Sequence, residues 1–243
     1  MRTIAIIQTR MGSSRLPGKV LRDLSGDTML ARVVQRVRSA RSIDEVVIAT
    51  TTASLDDAVV REAARLGCGI HRGSESDVLS RYQGAARAFD ADGIVRITSD
   101  CPLVDPGVID AVVSALTPDV DYASNTQART YPRGLDVEAF HRDTLERMAR
   151  LAGSDAAREH VTAFLLERPE LFVTRQVRAD RDDSDLRWTV DAPDDLALVR
   201  ALYALLDLGV SPRPYRELVD AVRARPELST INAHVIQRSP RVA

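Results

Sequence analysis

Strand-like and helix-like segments alternate through the first half of the chain. Short apolar runs, each long enough for one buried strand, are followed by longer segments with helical periodicity. This alternation favours a parallel sheet with right-handed crossovers. We therefore predict an α/β fold built on a doubly wound, mostly parallel, Rossmann-like sheet. The predicted strands of this half are 4–7, 45–50, 69–72 and 93–98, and the predicted helices are 28–40, 55–66, 77–89 and 105–116.

The alternation ends after Pro118, where two predicted strands follow each other without a helix between them. We expect the sheet to become mixed there. The pattern predicts strands at 122–125, 134–140, 171–177 and 186–190, and helices at 142–151, 156–166, 193–208 and 215–223. We interpret residues 1–228 as one domain with a mixed α+β excursion at 120–185. Residues 229–243 are predicted to be an irregular tail that docks on the body or on a partner subunit.

Length and composition restrict the class of protein. A chain of 243 residues with 44% hydrophobic residues suits one large α/β domain with a sizeable core. The net charge of −2 gives no reason to expect binding to nucleic acid or to a membrane. The two cysteines, Cys68 and Cys101, have no metal-binding spacing and are typical of reduced thiols. With no signal-peptide pattern and no long apolar run, we expect a cytoplasmic protein.

The loop at residues 8–19 follows the first predicted strand, at the edge of the sheet where open α/β folds bind ligands. Its small residues leave backbone N–H groups free to form an anion-binding nest, and its three basic side chains add positive charge. These residues are Gly12, Ser13, Ser14 and Gly18, together with Arg10, Arg15 and Lys19. Lys19 is the only lysine of the chain. The loop is not a Walker P-loop, because Val20 stands where that motif needs Ser or Thr. A solvated basic loop is the alternative interpretation.

Two aspartates, Asp100 and Asp191, each follow a predicted strand directly. Taken singly, either residue could instead cap a turn or a helix. If they meet, two carboxylates 4 Å apart repel by roughly 4 kcal/mol at an effective dielectric constant near 20, and a magnesium ion would relieve that repulsion. Asp105 precedes Pro106 and a predicted helix, so we interpret it as a helix N-cap.

The motifs QTRMGSSRLPGK, RGSESDVLSRY, RITSDCPLVDP, YPRGLDVEAF, REHVT and LRWTVDAPDDL occur in this order between residues 8 and 196. This series resembles the cytidylyltransferases that activate acidic sugars, and most of all the branch named for spore-coat polysaccharide biosynthesis. The resemblance implies a fold of the nucleotide-diphosphosugar transferase type and a homodimer formed by the 120–185 excursion. It also implies transfer of CMP from CTP to an acidic acceptor, with release of pyrophosphate and with magnesium held by Asp100 and Asp191.

The same resemblance suggests roles for other residues. Arg10, Arg15 and Lys19 would hold the triphosphate and stabilise the leaving pyrophosphate, with the loop amides of Gly12, Ser13 and Ser14 also binding the nucleotide. The remaining nucleotide-binding residues would be Thr51, Arg72 and Ser80, and the acceptor-binding residues would be Arg133, Asp136, Glu138 and His160.

Asp136 and Glu138 alternate with apolar residues, so they would share the polar face of one strand, which could equally be a solvated edge. His160 lies on a predicted helix, where a structural histidine is the alternative. Ser99 and Cys101 stand where the better-known sugar-acid synthetases carry acidic or amide residues. Another ulosonic acid, a phosphonate or a phosphorylated alcohol therefore stays open as the acceptor.

Two other classes of protein fit part of the sequence. A glycosyltransferase of the related fold usually places Asp-x-Asp after a core strand, but Pro102 stands two residues after Asp100. A non-catalytic nucleotide-binding module is the second alternative. Release of pyrophosphate from a nucleoside triphosphate separates both from a cytidylyltransferase.

Overall fold

The computed structural model describes residues 1–237, in which helices flank both faces of one seven-stranded sheet. The strands are β1 (Thr3–Gln8), β2 (Glu45–Thr51), β3 (Gly69–Gly73), β4 (Gly93–Thr98), β5 (Tyr122–Ser124), β6 (Glu138–His141) and β7 (Thr174–Gln176). The helices are α1 (Met29–Arg38), α2 (Asp57–Arg65), α3 (Val78–Ala88), α4 (Pro106–Ala115), α5 (Arg142–Leu151), α6 (Asp155–Glu159), α7 (Ala163–Glu167), α8 (Pro193–Leu205), α9 (Tyr215–Arg223) and α10 (Pro226–Thr230). Short 3-10 turns occupy Lys19–Leu21, Ser54–Asp56 and Pro169–Leu171.

The strand order is β3-β2-β1-β4-β6-β5-β7, and β6 is antiparallel to both of its neighbours. All other pairs are parallel, which confirms the predicted doubly wound and mostly parallel sheet. The chain leaves β1 towards β2 on one side and returns to β4 on the other. The strand order therefore reverses between β1 and β4, at the position where α/β folds bind ligands.

Alternation along the strands divides the core into two layers. In β1, Ala5 and Ile7 face the layer that contains α1, α4, α8 and α9, whereas Ile4 and Ile6 face the layer that contains α3 and α5. All four side chains are fully buried. This double burial explains why the strands of the first half are continuous apolar runs.

The predicted strand at 134–140 is wrong for its first four residues, and only Glu138–His141 pairs in the sheet. Gly134 has a φ of 106°, outside the extended range of a strand. After Gly134, hydrogen bonds with the Asn125 side chain replace the hydrogen bonds of a partner strand. Its Nδ2 donates to the Leu135 carbonyl at 2.7 Å, and its Oδ1 accepts from the Val137 amide at 2.9 Å.

The predicted strand at 186–190 is also wrong, because it forms only one isolated bridge, between Arg133 and Arg187. This segment packs so closely on Gly134 that a Cβ there would lie 2.6 Å from the Thr189 nitrogen. Trp188, within the segment, is 1% exposed and belongs to the core.

The helix predicted at 156–166 is divided into α6 and α7 by a break at His160–Thr162. Val161 adopts a left-handed φ of 53°, and the Thr162 hydroxyl donates to the buried Glu138 carboxylate at 2.7 Å. The strand predicted at 171–177 is shortened to Thr174–Gln176, after a 3-10 turn.

The predicted tail is not irregular at its start, because α10 crosses the expected boundary at residue 228. The next residues dock on the body, where the Asn232 amide donates to the Arg187 carbonyl at 3.0 Å. The final part of the predicted tail, 238–243, lies outside the described residues. Within residues 1–237, no helix combines the length and the apolar character needed to cross a bilayer.

Candidate active site

The loop at 8–19 joins β1 to the 3-10 turn at Lys19 and folds back on itself. The Met11 carbonyl accepts from the Ser13 amide at 2.9 Å and from the Gly18 amide at 3.1 Å. Within the described part of the chain, the amides of Gly12, Ser14 and Arg15 have no hydrogen-bond acceptor. The loop therefore offers backbone donors to an anion, as its composition predicts.

Asp56, in the 3-10 turn that follows β2, holds this loop in place through hydrogen bonds. The side chain is buried, and its carboxylate accepts from the Met11 amide at 2.7 Å and from the Thr51 amide at 3.2 Å. Burial alone would raise the pKa of Asp56, but these hydrogen bonds and one from the Thr51 hydroxyl lower it below its usual value. No sequence pattern indicates this role, since Asp56 is one of many acidic residues near a helix start.

Lys19 lies at the centre of a buried charge cluster. Its ammonium donates to Asp100 Oδ2 at 3.1 Å, to Asp191 Oδ1 at 3.0 Å and to the Val190 carbonyl at 2.6 Å. Burial alone would lower the pKa of Lys19, but the two carboxylates outweigh that effect and raise it. The structure thus brings together the only lysine and the two aspartates that the sequence singled out.

Asp191 is held by further cations. Its Oδ2 forms an ion pair with Arg15 at 3.0 Å and accepts a hydrogen bond from Arg187 at 2.9 Å. Burial would raise the pKa of Asp191, and Lys19, Arg15 and Arg187 together lower it. Arg187 in turn bonds Asp195 through Nε at 3.0 Å. Asp195, in the first turn of α8, is fully buried and accepts from the Asp191 and Ala192 amides at 2.9 Å each.

Two cavities meet at this cluster. The first, of about 320 Å³, lies between loop 8–19 and the start of α3. The second, of about 1190 Å³, lies between the ends of β4 and β6 and the break between α6 and α7. Arg15, Asp100, Asp191 and His160 line both cavities. A ligand in the first cavity and a ligand in the second would therefore meet beside Asp100 and Asp191.

Arg81 belongs to the motif RGSESDVLSRY, where an exposed helix charge is the alternative to nucleotide binding, and it lines the first cavity. The side chain is 3% exposed, and its Nη1 donates to the Ser74 carbonyl at 2.6 Å. Among residues 1–237 its buried Nε has no hydrogen-bond partner, and burial lowers the pKa of the guanidinium. A buried guanidinium with an unused donor is a further candidate for anion binding. Arg10, in contrast, pairs with Glu75 at 2.9 Å on the rim of the same cavity.

The second cavity holds all four predicted acceptor-binding residues, which are Arg133, Asp136, Glu138 and His160. Asp136 is paired with Arg129 at 2.5 and 2.8 Å, and lies outside the strand that was expected to present it. Glu138 is buried rather than solvated, and its carboxylate is occupied by Arg96, Tyr122 and Thr162. Arg133 has no carboxylate partner among residues 1–237.

Three predicted nucleotide-binding residues lie outside both cavities. Arg72 donates to the Thr51 carbonyl at 2.9 Å and pairs with Asp57 at 2.7 Å. Thr51 bonds Asp56 through its hydroxyl and its amide. The Ser80 amide and hydroxyl bond Asp77 at the start of α3. The structure therefore does not gather these residues with the loop, and their contact with nucleotide stays a prediction.

A doubly wound sheet with an anion-binding loop and two carboxylates at its switch point defines a nucleotide-binding α/β protein. A model of the cytidylyltransferase family matches residues 4–208. The spore coat polysaccharide biosynthesis protein SpsF of Bacillus subtilis is 34% identical, over 82% of this chain and 85% of that protein. A 3-deoxy-manno-octulosonate cytidylyltransferase of Anaeromyxobacter dehalogenans is 31% identical, over 84% of this chain and 99% of that protein.

Solved structures agree with these relatives. A cytidylyltransferase from Leptospira borgpetersenii serovar Hardjo-bovis superposes with a TM-score of 0.90 at 30% identity, over 94% of this chain and 97% of that one. The chain belongs to the cytidylyltransferase family, as its motifs predict, and it is a nucleotidyltransferase.

Proposed function

We propose that this enzyme transfers CMP from CTP to an acidic sugar or a related acidic acceptor and releases pyrophosphate. The observation that carries the proposal is the meeting of two cavities at the Lys19–Asp100–Asp191 cluster. One cavity has the anion-binding loop, and the other has an arginine without a carboxylate partner among the described residues. The relative from Anaeromyxobacter, named for transfer to 3-deoxy-manno-octulosonate, supports a sugar acid as the acceptor class.

The loop side of the cluster suits the triphosphate. The free amides of Gly12, Ser14 and Arg15 would bind phosphate oxygens, and Arg10, Arg15 and Arg81 would add charge. An ion pair at 4 Å contributes about 4 kcal/mol at an effective dielectric constant near 20, so several cations offset the desolvation of a polyanion. Because no covalent intermediate is needed for phosphoryl transfer, positioning and charge stabilisation are sufficient tasks for these residues.

We also propose that Asp100 and Asp191 hold magnesium. Both carboxylates lie within hydrogen-bond distance of one point, which the Lys19 ammonium occupies, so they can share one cation. Across residues 1–237, no three His, Cys, Asp or Glu side chains are grouped as a metal site. Two carboxylates nevertheless suit magnesium, which commonly takes its other ligands from water and substrate phosphate. The bound ion would neutralise charge on the phosphates. Before the ion binds, the Lys19 ammonium would balance the negative charge of the two aspartates.

The test is pyrophosphate release with magnesium, in which each of the four nucleoside triphosphates is offered with a panel of acidic sugars and phosphonates. We expect release with CTP and one acceptor class. Lys19→Ala and Asp100→Asn should each reduce kcat by at least about 100-fold, because each removes charge stabilisation at the reacting centre. Asp90→Asn, at an exposed surface position, is the control and should keep full activity. A wild-type enzyme that binds no triphosphate would contradict the proposal.

A further inference from the structure

The C-terminal segment, which we define as residues 231–237, lies outside the 4–208 region that matches the family model. It nevertheless reaches the candidate active site. Gln237 lines the second cavity, and the Arg187 Nη1 donates to its side-chain oxygen. Asn232 is 4% exposed and lies behind the cluster rather than in either of the two cavities that meet there.

The Asn232 side chain bonds two residues of the cluster at once. Its Nδ2 donates to Asp195 Oδ1 at 2.8 Å and to the Arg187 carbonyl at 3.0 Å. Asp195 has no exposed surface, and a buried carboxylate is stable as an anion only when its oxygens are satisfied. Asn232 thus supplies a neutral donor to a carboxylate that already serves Arg187 and two backbone amides.

The two residues that Asn232 contacts are the ones that fix Asp191. Asp195 accepts from the Asp191 backbone amide at 2.9 Å, and Arg187 bonds the Asp191 carboxylate at 2.9 Å. A shift of either partner would therefore move the carboxylate that faces Lys19 and the two cavities. Outer partners of this kind orient the groups that bind a metal or a substrate.

We propose that Asn232 is a positioning residue, which holds Asp195 and Arg187 and through them sets the Asp191 carboxylate. This inference rests on the proposed function, because it assigns Asp191 to the binding of magnesium and CTP. It makes the C-terminal segment part of the active site of this chain, although the family model matches only residues 4–208.

Two substitutions separate positioning from simple packing. Asn232→Ala removes the donor and leaves two buried acceptors short of a partner. Asn232→Leu keeps about the same volume but removes the donor that lies 2.8 Å from Asp195. If the hydrogen bonds matter, the leucine variant is damaged as much as the alanine variant. If Asn232 only fills space, the leucine variant should resemble the wild type.

The experiment measures CTP affinity by calorimetry, with magnesium and with EDTA. We expect magnesium to strengthen CTP binding by the wild type, and Asn232→Ala to lose about 10-fold or more of that gain. The affinity measured in EDTA should change little, because the loop amides are untouched. Thr230→Ala is the matched control, since among the described residues the Thr230 hydroxyl bonds only the Glu227 carbonyl of its own helix. If Asn232→Ala does not fold, Asn232→Ser takes its place.

A second readout does not depend on nucleotide. Trp188, the only tryptophan, is 1% exposed and lines a third cavity of about 430 Å³ together with Asn232. Loss of the Asn232 contacts should increase the quenching of Trp188 fluorescence by acrylamide, whereas Thr230→Ala should leave that quenching unchanged. If magnesium strengthens CTP binding by Asn232→Ala as much as by the wild type, the inference about Asn232 is overturned but the proposed function is not. Unchanged quenching of Trp188 in this variant would have the same meaning. A wild type that binds no CTP in either condition would instead overturn the proposed function.

Discussion

Arg133 is the residue through which we expect the acceptor to be chosen. Burial and the nearby Arg129 lower its pKa, which indicates a cation without full compensation in the protein. Its neighbours in the second cavity, Arg15 and Arg96, are paired with Asp191 and Glu138. An acceptor carboxylate would therefore find Arg133 available without breaking an ion pair of the described structure.

We predict that Arg133→Ala raises the KM for the acceptor by about 10- to 100-fold and leaves the KM for CTP nearly unchanged. A hydrogen bond to a charged group contributes about 1.5–3 kcal/mol, which corresponds to this range. The backbone should hold, because the Arg133 amide and carbonyl bond Leu186 and Trp188 independently of the side chain. Steady-state pyrophosphate release measures both constants, and Arg61→Ala, at an exposed position on α2, is the control. Equal increases in both KM values would contradict a role specific to the acceptor.

At the level of single residues, the sequence predicted the charged centre of the site better than its surroundings. Lys19, Asp100 and Asp191 could be predicted because each follows a strand or belongs to a dense motif. Asp56 could not, because its role depends on a contact with Met11, 45 positions away in the chain. Glu138 lines the second cavity, and its burial against Arg96 could not be predicted, because it depends on the register of β4 with β6.

Among the elements, the 120–185 excursion carries the features of an interface. Four large apolar side chains are exposed there, namely Leu151, Leu166, Leu171 and Val173. The outermost strand, β7, also presents an edge to solvent, and such edges tend to pair with another chain. We propose that a second copy of the chain covers this surface, in a homodimer.

We predict that light scattering at micromolar concentration gives the mass of a dimer, and that Val173→Asp shifts it to a monomer. Val173 is 55% exposed and precedes the edge strand, so a charge there would be buried at the interface. Val210→Asp is the matched control, because Val210 is 79% exposed and lies outside the excursion. A wild type that scatters as a monomer would contradict the prediction.

The same excursion shows where sequence patterns fail. The boundaries of the first four strands were predicted almost correctly, because a parallel strand that is buried on both faces appears in the sequence as one apolar run. The segments 134–137 and 186–190 alternate apolar and polar residues as a strand does, but they are held by the Asn125 side chain and by contact with Gly134. A single side-chain amide that replaces a partner strand produces no periodic pattern in the sequence. The break between α6 and α7 at Val161 likewise has no periodic pattern that could predict it.

For the whole molecule, the buried charges connect the site to the stability of the fold. Asp56 joins loop 8–19 to the end of β2, so its ionisation influences both. Its pKa is lower in the folded state than the ordinary value of 3.8. Such a group stabilises the fold above its unfolded pKa, and that contribution disappears as the pH falls through the folded value.

We therefore predict that Asp56→Asn lowers the free energy of unfolding at neutral pH by roughly 1–3 kcal/mol, because the amide nitrogen replaces one of the two carboxylate oxygens and cannot accept from the donor that it then faces, Met11 or Thr51. The difference from the wild type should shrink as the pH falls from about 5 towards about 2, where the wild-type carboxyl becomes protonated. Urea unfolding of both proteins across this range measures the difference directly, and acid effects of other carboxylates cancel between them. A difference that stays constant with pH would mean that packing, and not the charge of Asp56, holds the loop against the sheet.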